Sequence, residues 1–236
     1  MYHRPVLLEE SLNGLNIQQG GTYIDFTYGG GSHSKAILER LGAGGLIAFD
    51  QDPDAEKNIV PDKRLLFIRG NFRYVRNYLR YYGIKSIHGA LADLGVSSHH
   101  FDVAERGFSF RFDSKIDMRM NPEAKKSAID ILNQYPEENL KTLFSRYGEL
   151  KNAGRLAKAV CLSRGKIITH TGQFMEAIQD CIPVHGHQKY LAKVFQALRI
   201  EVIEELESLK QMLEQTLGFM NRGSRMVILS YHSLED

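Results

Sequence analysis

Cysteine is scarce in this chain. Cys161 and Cys181 are the only two, and they form no C-x-x-C pair. Neither a disulfide framework nor a zinc site is implied, so no metal is expected and a reducing compartment fits. Long apolar runs are also missing: nothing approaches the length needed to span a membrane, and nothing reads as a signal peptide. The expectation is a cytoplasmic protein with no membrane partner. Charge of either sign is nearly balanced, at a net of +2. Bulk charge therefore permits an RNA partner without demanding one, and basic residues have to be weighed locally. There are no repeats and no low-complexity tracts. What is present is core material, with 43% hydrophobic residues in a chain of 236. That length suits one large domain, or a core with a smaller insert.

The chain is organised around Thr22–Ser34, TYIDFTYGGGSHS. Tyr23, Ile24 and Phe26 make a β-prone apolar run, Gly29, Gly30 and Gly31 follow, and Ser32–Leu41 has a helical pattern. Strand, glycine turn and helix open a nucleotide-binding βαβ unit, in which the backbone must approach a ligand closely. A second apolar strand, Leu46–Phe49, ends at Asp50, close to the spacing at which such folds place a carboxylate for ribose hydroxyls. The spelling of the loop separates cofactors. A dinucleotide fingerprint starting at Gly29 needs glycine at position 34, where this chain has Ser34. The form acid-x-G-x-G-x-G fits from Asp25, with Thr27 in the first glycine slot and Gly29 and Gly31 in the others. It favours S-adenosyl-L-methionine, with Asp25 meeting the ammonium and the loop amides meeting the carboxylate.

Further along, Leu65–Ile68 reads as a third strand, Tyr74–Tyr82 as a helix and Ile87–Leu91 as a fourth strand leading to Asp93. Strands alternating with helices predict an α/β fold with a doubly wound, mainly parallel sheet. The pattern breaks at Arg106–Met120, where Phe108, Phe110 and Phe112 recur at period two, and Pro122–Ile182 is helical throughout. One long helix is expected over Lys189–Leu217 and a fifth strand over Met226–Tyr231. The expected division is a core over 1–112 and 189–236, with a helical insert over 113–188.

Asp25, Asp50, Asn71 with Phe72, Asp93 and His232 fall at successive strand ends. Ligands bind outside the carboxyl ends of the strands in an open parallel sheet. Around these positions the chain carries Asp25-x-Thr27-x-Gly29-x-Gly31-x-His33-Ser34, Asp50-Gln51-Asp52-Pro53, Asn71-Phe72 and Asp93-Leu94-Gly95-Val96-Ser97-Ser98. It also carries Arg106-Gly107-Phe108-Ser109-Phe110, Asp117-Met118-Arg119-Met120, Phe195-Gln196-Ala197-Leu198-Arg199-Ile200 and His232-Ser233-Leu234-Glu235-Asp236. With these words in this order the chain resembles the S-adenosylmethionine-dependent methyltransferases that act on N4 of a cytosine in small-subunit (16S) ribosomal RNA. The resemblance implies a Rossmann-like core, with 113–188 as an RNA-recognition subdomain. It implies a substrate that is the small-subunit RNA or its particle. By position it implies cofactor contacts at Gly31, Ser32, His33, Asp50, Phe72, Asp93 and His100, and Asp93 also takes the catalytic role of acceptor for the reacting amino group. Ser32 stands where the family commonly has glycine, and His100 where it has glutamine. The family pattern continues past HSLED with a basic helix and further strands. Beside the fifth strand an exposed edge or a partner chain is expected, which makes a homodimer part of the reading. The other amino-methyltransferase signature of an acid, two prolines and an aromatic keeps only its acid at Asp93, so a base-stacking ring is sought at Phe108 or Phe110, rings that fit core packing equally well.

Several features allow two readings. His99-His100 fits a solvent loop as well as a cofactor contact. Arg73, Arg76 and Arg80, interleaved with Tyr74, Tyr78, Tyr81 and Tyr82, fit a solvated helix face or an RNA-binding patch. Gln196 and Arg199 fit a substrate contact or a pairing with acids. For the whole chain, the alternatives are a nicotinamide-dependent oxidoreductase on the same core, or a protein that binds S-adenosylmethionine and RNA without turnover.

Overall fold

The computed structural model describes residues 5–94, 106–231 and 234–235. In chain order the elements are α1 (Leu8–Leu15), β1 (Thr22–Asp25), α2 (Ser32–Arg40), β2 (Gly45–Asp50), β3 (Leu65–Arg69), α3 (Val75–Tyr81) and β4 (Ile87–Asp93). There follow α4 (Ala128–Gln134), α5 (Glu137–Arg146), α6 (Ala153–Leu162), α7 (Thr171–Ile178), α8 (His187–Ile203), α9 (Glu205–Leu217) and β5 (Met220–Leu229). Single 3-10 turns at Pro53–Asn58 and Phe72–Tyr74 follow β2 and β3. The chain forms two compact units, one of Met1–Gly95 with Leu206–Asp236 and one of Val96–Glu205.

The first unit is built on a five-stranded sheet of order β3-β2-β1-β4-β5, with every adjacent pair parallel. Parallel strands with helices on both faces must be apolar on both sides. Leu46, Ile47, Ala48 and Phe49 are accordingly all buried, as are Tyr23 and Ile24 of β1 and Ala90, Leu91 and Ala92 of β4. One face packs Ile24, Phe26, Ile47, Phe49 and Ala90 with Val75 and Leu79 of α3 and Leu209 and Met212 of α9. The other packs Tyr23, Leu46 and Leu91 with Leu12 and Leu15 of α1 and Ile37 and Leu38 of α2. The α/β doubly wound expectation is met. Strand order reverses between β1 and β4, so the switch point, where such sheets bind ligands, is at the carboxyl ends of those two strands.

Two element boundaries differ from the sequence reading. The fifth strand starts at Met220 rather than at 226, because a bulge between Ile87 and Gly89 of β4 takes up residues 221–224. Gly223 turns there with φ of 89°, and the Ser224 hydroxyl donates to the Ile87 carbonyl at 2.7 Å. β5 pairs with β4 alone among the described residues, which makes it an edge strand. The expected helix 189–217 is broken. Glu204 takes a left-handed conformation, φ 52°, and its N–H returns to the Ile200 carbonyl as a helix-ending cap.

The second unit has its own core, in which Phe144, Phe174 and Phe195 are surrounded by Ile131, Leu140, Leu156, Val160 and Ile178. Phe108 belongs to that core, and Phe110 meets Phe195 edge-on at 5.6 Å between ring centres. Phe108 is therefore a packing residue of this unit, as the core reading of the RGFSF rings has it, and half-buried Phe110 packs against the same core. The unit extends on both sides of the expected 113–188 insert, taking in the extended segment before it and α8 after it. No helix of the described residues is long and apolar enough to cross a membrane.

Candidate functional site

The loop from Phe26 to Gly31 is fastened from several sides. Tyr28 N–H donates to the Phe49 carbonyl of β2 at 2.9 Å, and Gly31 N–H turns back to the Tyr28 carbonyl at 2.7 Å. The Tyr28 hydroxyl donates to Asn58 O (2.8 Å) and accepts from Val60 N–H (3.1 Å), while Asn58 Nδ2 donates to Gly29 O (3.1 Å). Gly31 has φ of 76°, and a Cβ there would come within 2.7 Å of the Tyr28 hydroxyl. Glycine is required on both counts. Helix α2 then begins at Ser32 with no side chain capping its first turn, so its leading amides face outward as donors.

Two carboxylates hold this loop. Asp25, at the end of β1, is completely buried. It accepts from Thr27 N–H at 3.0 Å and from the Ser34 hydroxyl at 2.6 Å. Burial raises its pKa, and these two hydrogen bonds oppose the rise. The expectation that Asp25 meets a ligand ammonium is corrected here: its oxygens face inward and tie β1 to α2. Ser34, which spoiled the dinucleotide fingerprint, is the residue that makes this buried acid tolerable. Asp50, at the end of β2, accepts from Gly29 N–H and from Asp52 N–H, each at 2.8 Å.

The end of β4 joins the same place. Asp93 N–H donates to Thr27 Oγ1 at 2.8 Å, which gives the threonine in the first glycine slot a use. Asp93 Oδ1 accepts from the Tyr231 hydroxyl at 2.7 Å, and Oδ2 lies 3.9 Å from His33 Nδ1. The His33 ring is buried, with Nε2 3.2 Å from the Val6 carbonyl. Asp93 is pushed above the usual carboxylate range chiefly by burial, against the pull of the Tyr231 hydrogen bond and the nearby His33. Tyr231 is raised as well, first by burial and then by Asp93, so its phenol stays protonated and remains a donor.

Of the residues singled out from sequence, the structure gathers Gly31, Ser32, His33 and Asp93 around the β1/β4 switch point, with Asp50 on the loop's other side. Phe72 follows β3 and meets the Phe26 ring edge-on at 6.0 Å. Asn71 Nδ2 donates to Gln51 Oε1 at 3.2 Å, linking the segments after β2 and β3. His100 and His232 lie outside the described residues. Arg199 takes the acid-pairing reading, with Glu205 at 3.2 Å, whereas Gln196 donates to the Tyr147 backbone carbonyl at 3.3 Å. Sequence reasoning missed Tyr231, Tyr28 and Asn58. Tyr231 alone left a signal, as a polar aromatic at a strand end directly before the HSLED word.

The whole chain, residues 1–236, matches the profile of the MraW methylase family. "Ribosomal RNA small subunit methyltransferase H" of Phocaeicola vulgatus is 56% identical over 238 residues, which cover 100% of this chain and 78% of that protein. The protein of the same name from Bacteroides thetaiotaomicron is 55% identical over 237 residues, with the same two shares. A solved putative methyltransferase from an antibiotic biosynthesis pathway of Anabaena variabilis aligns with 89% of this chain and 90% of its own. At 15% identity and a TM-score of 0.31 that likeness carries no argument.

The Asp93–Tyr231 hydrogen bond yields a pH-dependent prediction. A donor to the ionised carboxylate stabilises that form and lowers the pKa, so removing it lets the burial effect act with less opposition. In Tyr231→Phe the Asp93 midpoint, followed by carbon-detected NMR of the carboxyl group, is expected at higher pH than in the unaltered protein. An unchanged or lower midpoint contradicts the assignment.

Proposed function

Because the chain belongs to the MraW methylase family, we propose that it transfers a methyl group from S-adenosyl-L-methionine to N4 of a cytidine in small-subunit ribosomal RNA. The observation that carries this reading is the convergence of the glycine loop, Asp50 and Asp93 on the switch point of a parallel sheet in a chain of that family. The nicotinamide alternative has no such support, and the Ser34 hydroxyl that stands against its fingerprint is committed to Asp25.

The residues present suit the cofactor. The left-handed Gly31 and the uncapped start of α2 leave backbone donors open for a carboxylate. An ionised carboxylate has about four acceptor positions. Asp50 accepts from the Gly29 and Asp52 amides and would also receive ribose hydroxyls. Phe72 offers an aromatic surface suited to a flat purine. Bound there, the cofactor supplies an electrophilic methyl on a sulfonium.

The acceptor is a poor nucleophile, because the N4 lone pair of cytosine is delocalised into the ring. The protein must hold the base, unpaired or extruded, with its amino group facing the methyl. It must also accept a hydrogen bond from that group as positive charge develops. Asp93 takes this role. Tyr231 anchors Oδ1 and Thr27 anchors the Asp93 backbone, so the carboxylate is held in one orientation. Its raised pKa makes it a stronger acceptor than an exposed aspartate. On methylation the S–CH3 bond would break with the donor leaving as a neutral thioether, and the proton that N4 gives up would pass to Asp93.

The partner in this reading is small-subunit RNA or its particle in the cytoplasm, with the helical segment 113–188 gripping RNA. A homodimer belongs to the same proposal.

Binding and chemistry separate by mutation. Asp50→Ala is expected to weaken S-adenosylmethionine binding by about 1.5–3 kcal/mol, the range for hydrogen bonds to a charged group. Calorimetry giving an unaltered affinity removes Asp50 from the cofactor site. Asp93→Asn is expected to lower the single-turnover methyl-transfer rate at saturating cofactor while cofactor affinity stays close to that of the unaltered protein. A full rate in that variant takes Asp93 off the catalytic list.

A further inference from the structure

The segment between Gly70 and Ala92 carries Arg73, Arg76, Arg80 and Lys85 and not one aspartate or glutamate. It contains α3, whose buried side is Val75 and Leu79. At 100° per residue, exposed Arg76 and Arg80 fall on one stripe of α3, and half-buried Arg73 precedes them in the 3-10 turn. Tyr74 and Tyr81 fall on a second stripe beside it, with exposed Asn77 between the two. The tyrosines are conspicuously open: Tyr81 is 80% exposed, Tyr74 50% and Tyr82 44%. Tyr81 and Tyr82 stand edge-to-face at 5.0 Å, and the Arg73 guanidinium lies 5.7 Å from the Tyr74 ring centre.

The neighbouring helix meets this face at Arg73 and Arg76 with two glutamine side chains. From α9, Gln211 accepts from Arg73 Nε at 3.1 Å, and Gln215 accepts from Arg76 N–H at 3.2 Å and donates to the Arg73 carbonyl at 2.7 Å. These are neutral amides. Glu207, one turn before Gln211, accepts from the Gln211 side chain at 2.7 Å. Among the described residues the guanidinium groups of Arg76 and Arg80 form no ion pair.

We propose that the outer face of α3 is an RNA-docking surface separate from the methyl-transfer site, with Arg76 and Arg80 on phosphates and Tyr81 stacking against an unpaired base. Cations spaced along a groove or ridge with exposed aromatics beside them are what single-stranded nucleic acid requires, since every base has a π-face and every linkage a charge. The geometry extends the site rather than duplicating it. A helix that follows a parallel strand runs back along the sheet, so Arg73 lies near the strand-end crevice and Arg80 about 10 Å further along the flank, at 1.5 Å per residue. RNA leaving the crevice past Phe72 meets this stripe next. Exposed tyrosine and arginine also suit a protein partner, but exposed Arg76 and Arg80 in a stretch, 70–92, that holds no aspartate or glutamate favour a polyanion.

This inference rests on the RNA methyltransferase reading, and the test separates the two. Binding of the full chain to a fluorescent single-stranded RNA 20-mer and to small-subunit particles is measured across salt concentrations, alongside methyl transfer to the same particles. Arg76→Gln with Arg80→Gln is expected to weaken both and to reduce the slope of log affinity against log salt by about 1.4, at roughly 0.7 per phosphate contact. Arg76→Lys with Arg80→Lys keeps the slope. Tyr81→Ala weakens binding by about fivefold or more with the slope unchanged. S-adenosylhomocysteine binding and its thermal shift stay the same in all of them, which also verifies folding. Unaltered affinity and slope in an unmodified background that does transfer methyl groups overturn this surface alone. Absence of transfer by the unaltered protein overturns the function reading instead. Variants that bind RNA normally but change sedimentation identify a protein-facing patch, and likewise overturn the proposal.

Discussion

Everything at the strand ends depends on one buried carboxylate. Leaving a charge at Asp25 without solvent is costly unless its oxygens are satisfied, and the satisfaction comes from two points on the same loop, Thr27 N–H and the Ser34 hydroxyl. Those bonds fix where the chain leaves β1 and where α2 begins. Between them the glycines have little freedom left, and Asp50 takes what remains by holding Gly29. The loop amides are thereby oriented before any ligand arrives, so binding does not have to supply the ordering free energy of a mobile loop.

A second tie runs across the sheet. Thr27 receives the Asp93 amide, and Asp93 in turn receives the Tyr231 hydroxyl. The ends of β1 and β4 and the residue beyond β5 are joined by short polar contacts, at the place where strand order reverses. One acid, Asp25, is internal and structural. The other, Asp93, keeps a quarter of its side chain exposed and is left basic by its surroundings. The difference lies in the neighbours, since both are strand-end aspartates.

That difference explains what sequence could and could not disclose. Strands that are apolar on both faces, the glycine turn and the spaced Asp50 were all legible, because burial and periodicity write them into local composition. The direction in which Asp25 points was not, since it is set by Ser34 nine residues later. Nor was the break at Glu204: an apolar stripe continues through it at helical spacing, and a single left-handed glutamate leaves no mark on the period. The early start of β5 came from a bulge that depends on its pairing partner. Phe108 and Phe110 alternate like strand residues, yet Phe110 meets Phe195, 85 residues downstream, and Phe108 joins the same helical core. The roles at Gly31, Ser32, His33 and Phe72 were suggested only by the long motif words, and His100 lies outside the described residues.

The central claim is that the strand-end crevice transfers a methyl group to cytosine N4 in small-subunit RNA. Its most direct test is incubation of the protein with methyl-labelled S-adenosylmethionine and unmodified small-subunit particles, followed by digestion to nucleosides and mass spectrometry. The account requires label in N4-methylcytidine. Label in another nucleoside, or none in RNA although the protein binds the cofactor, would contradict it.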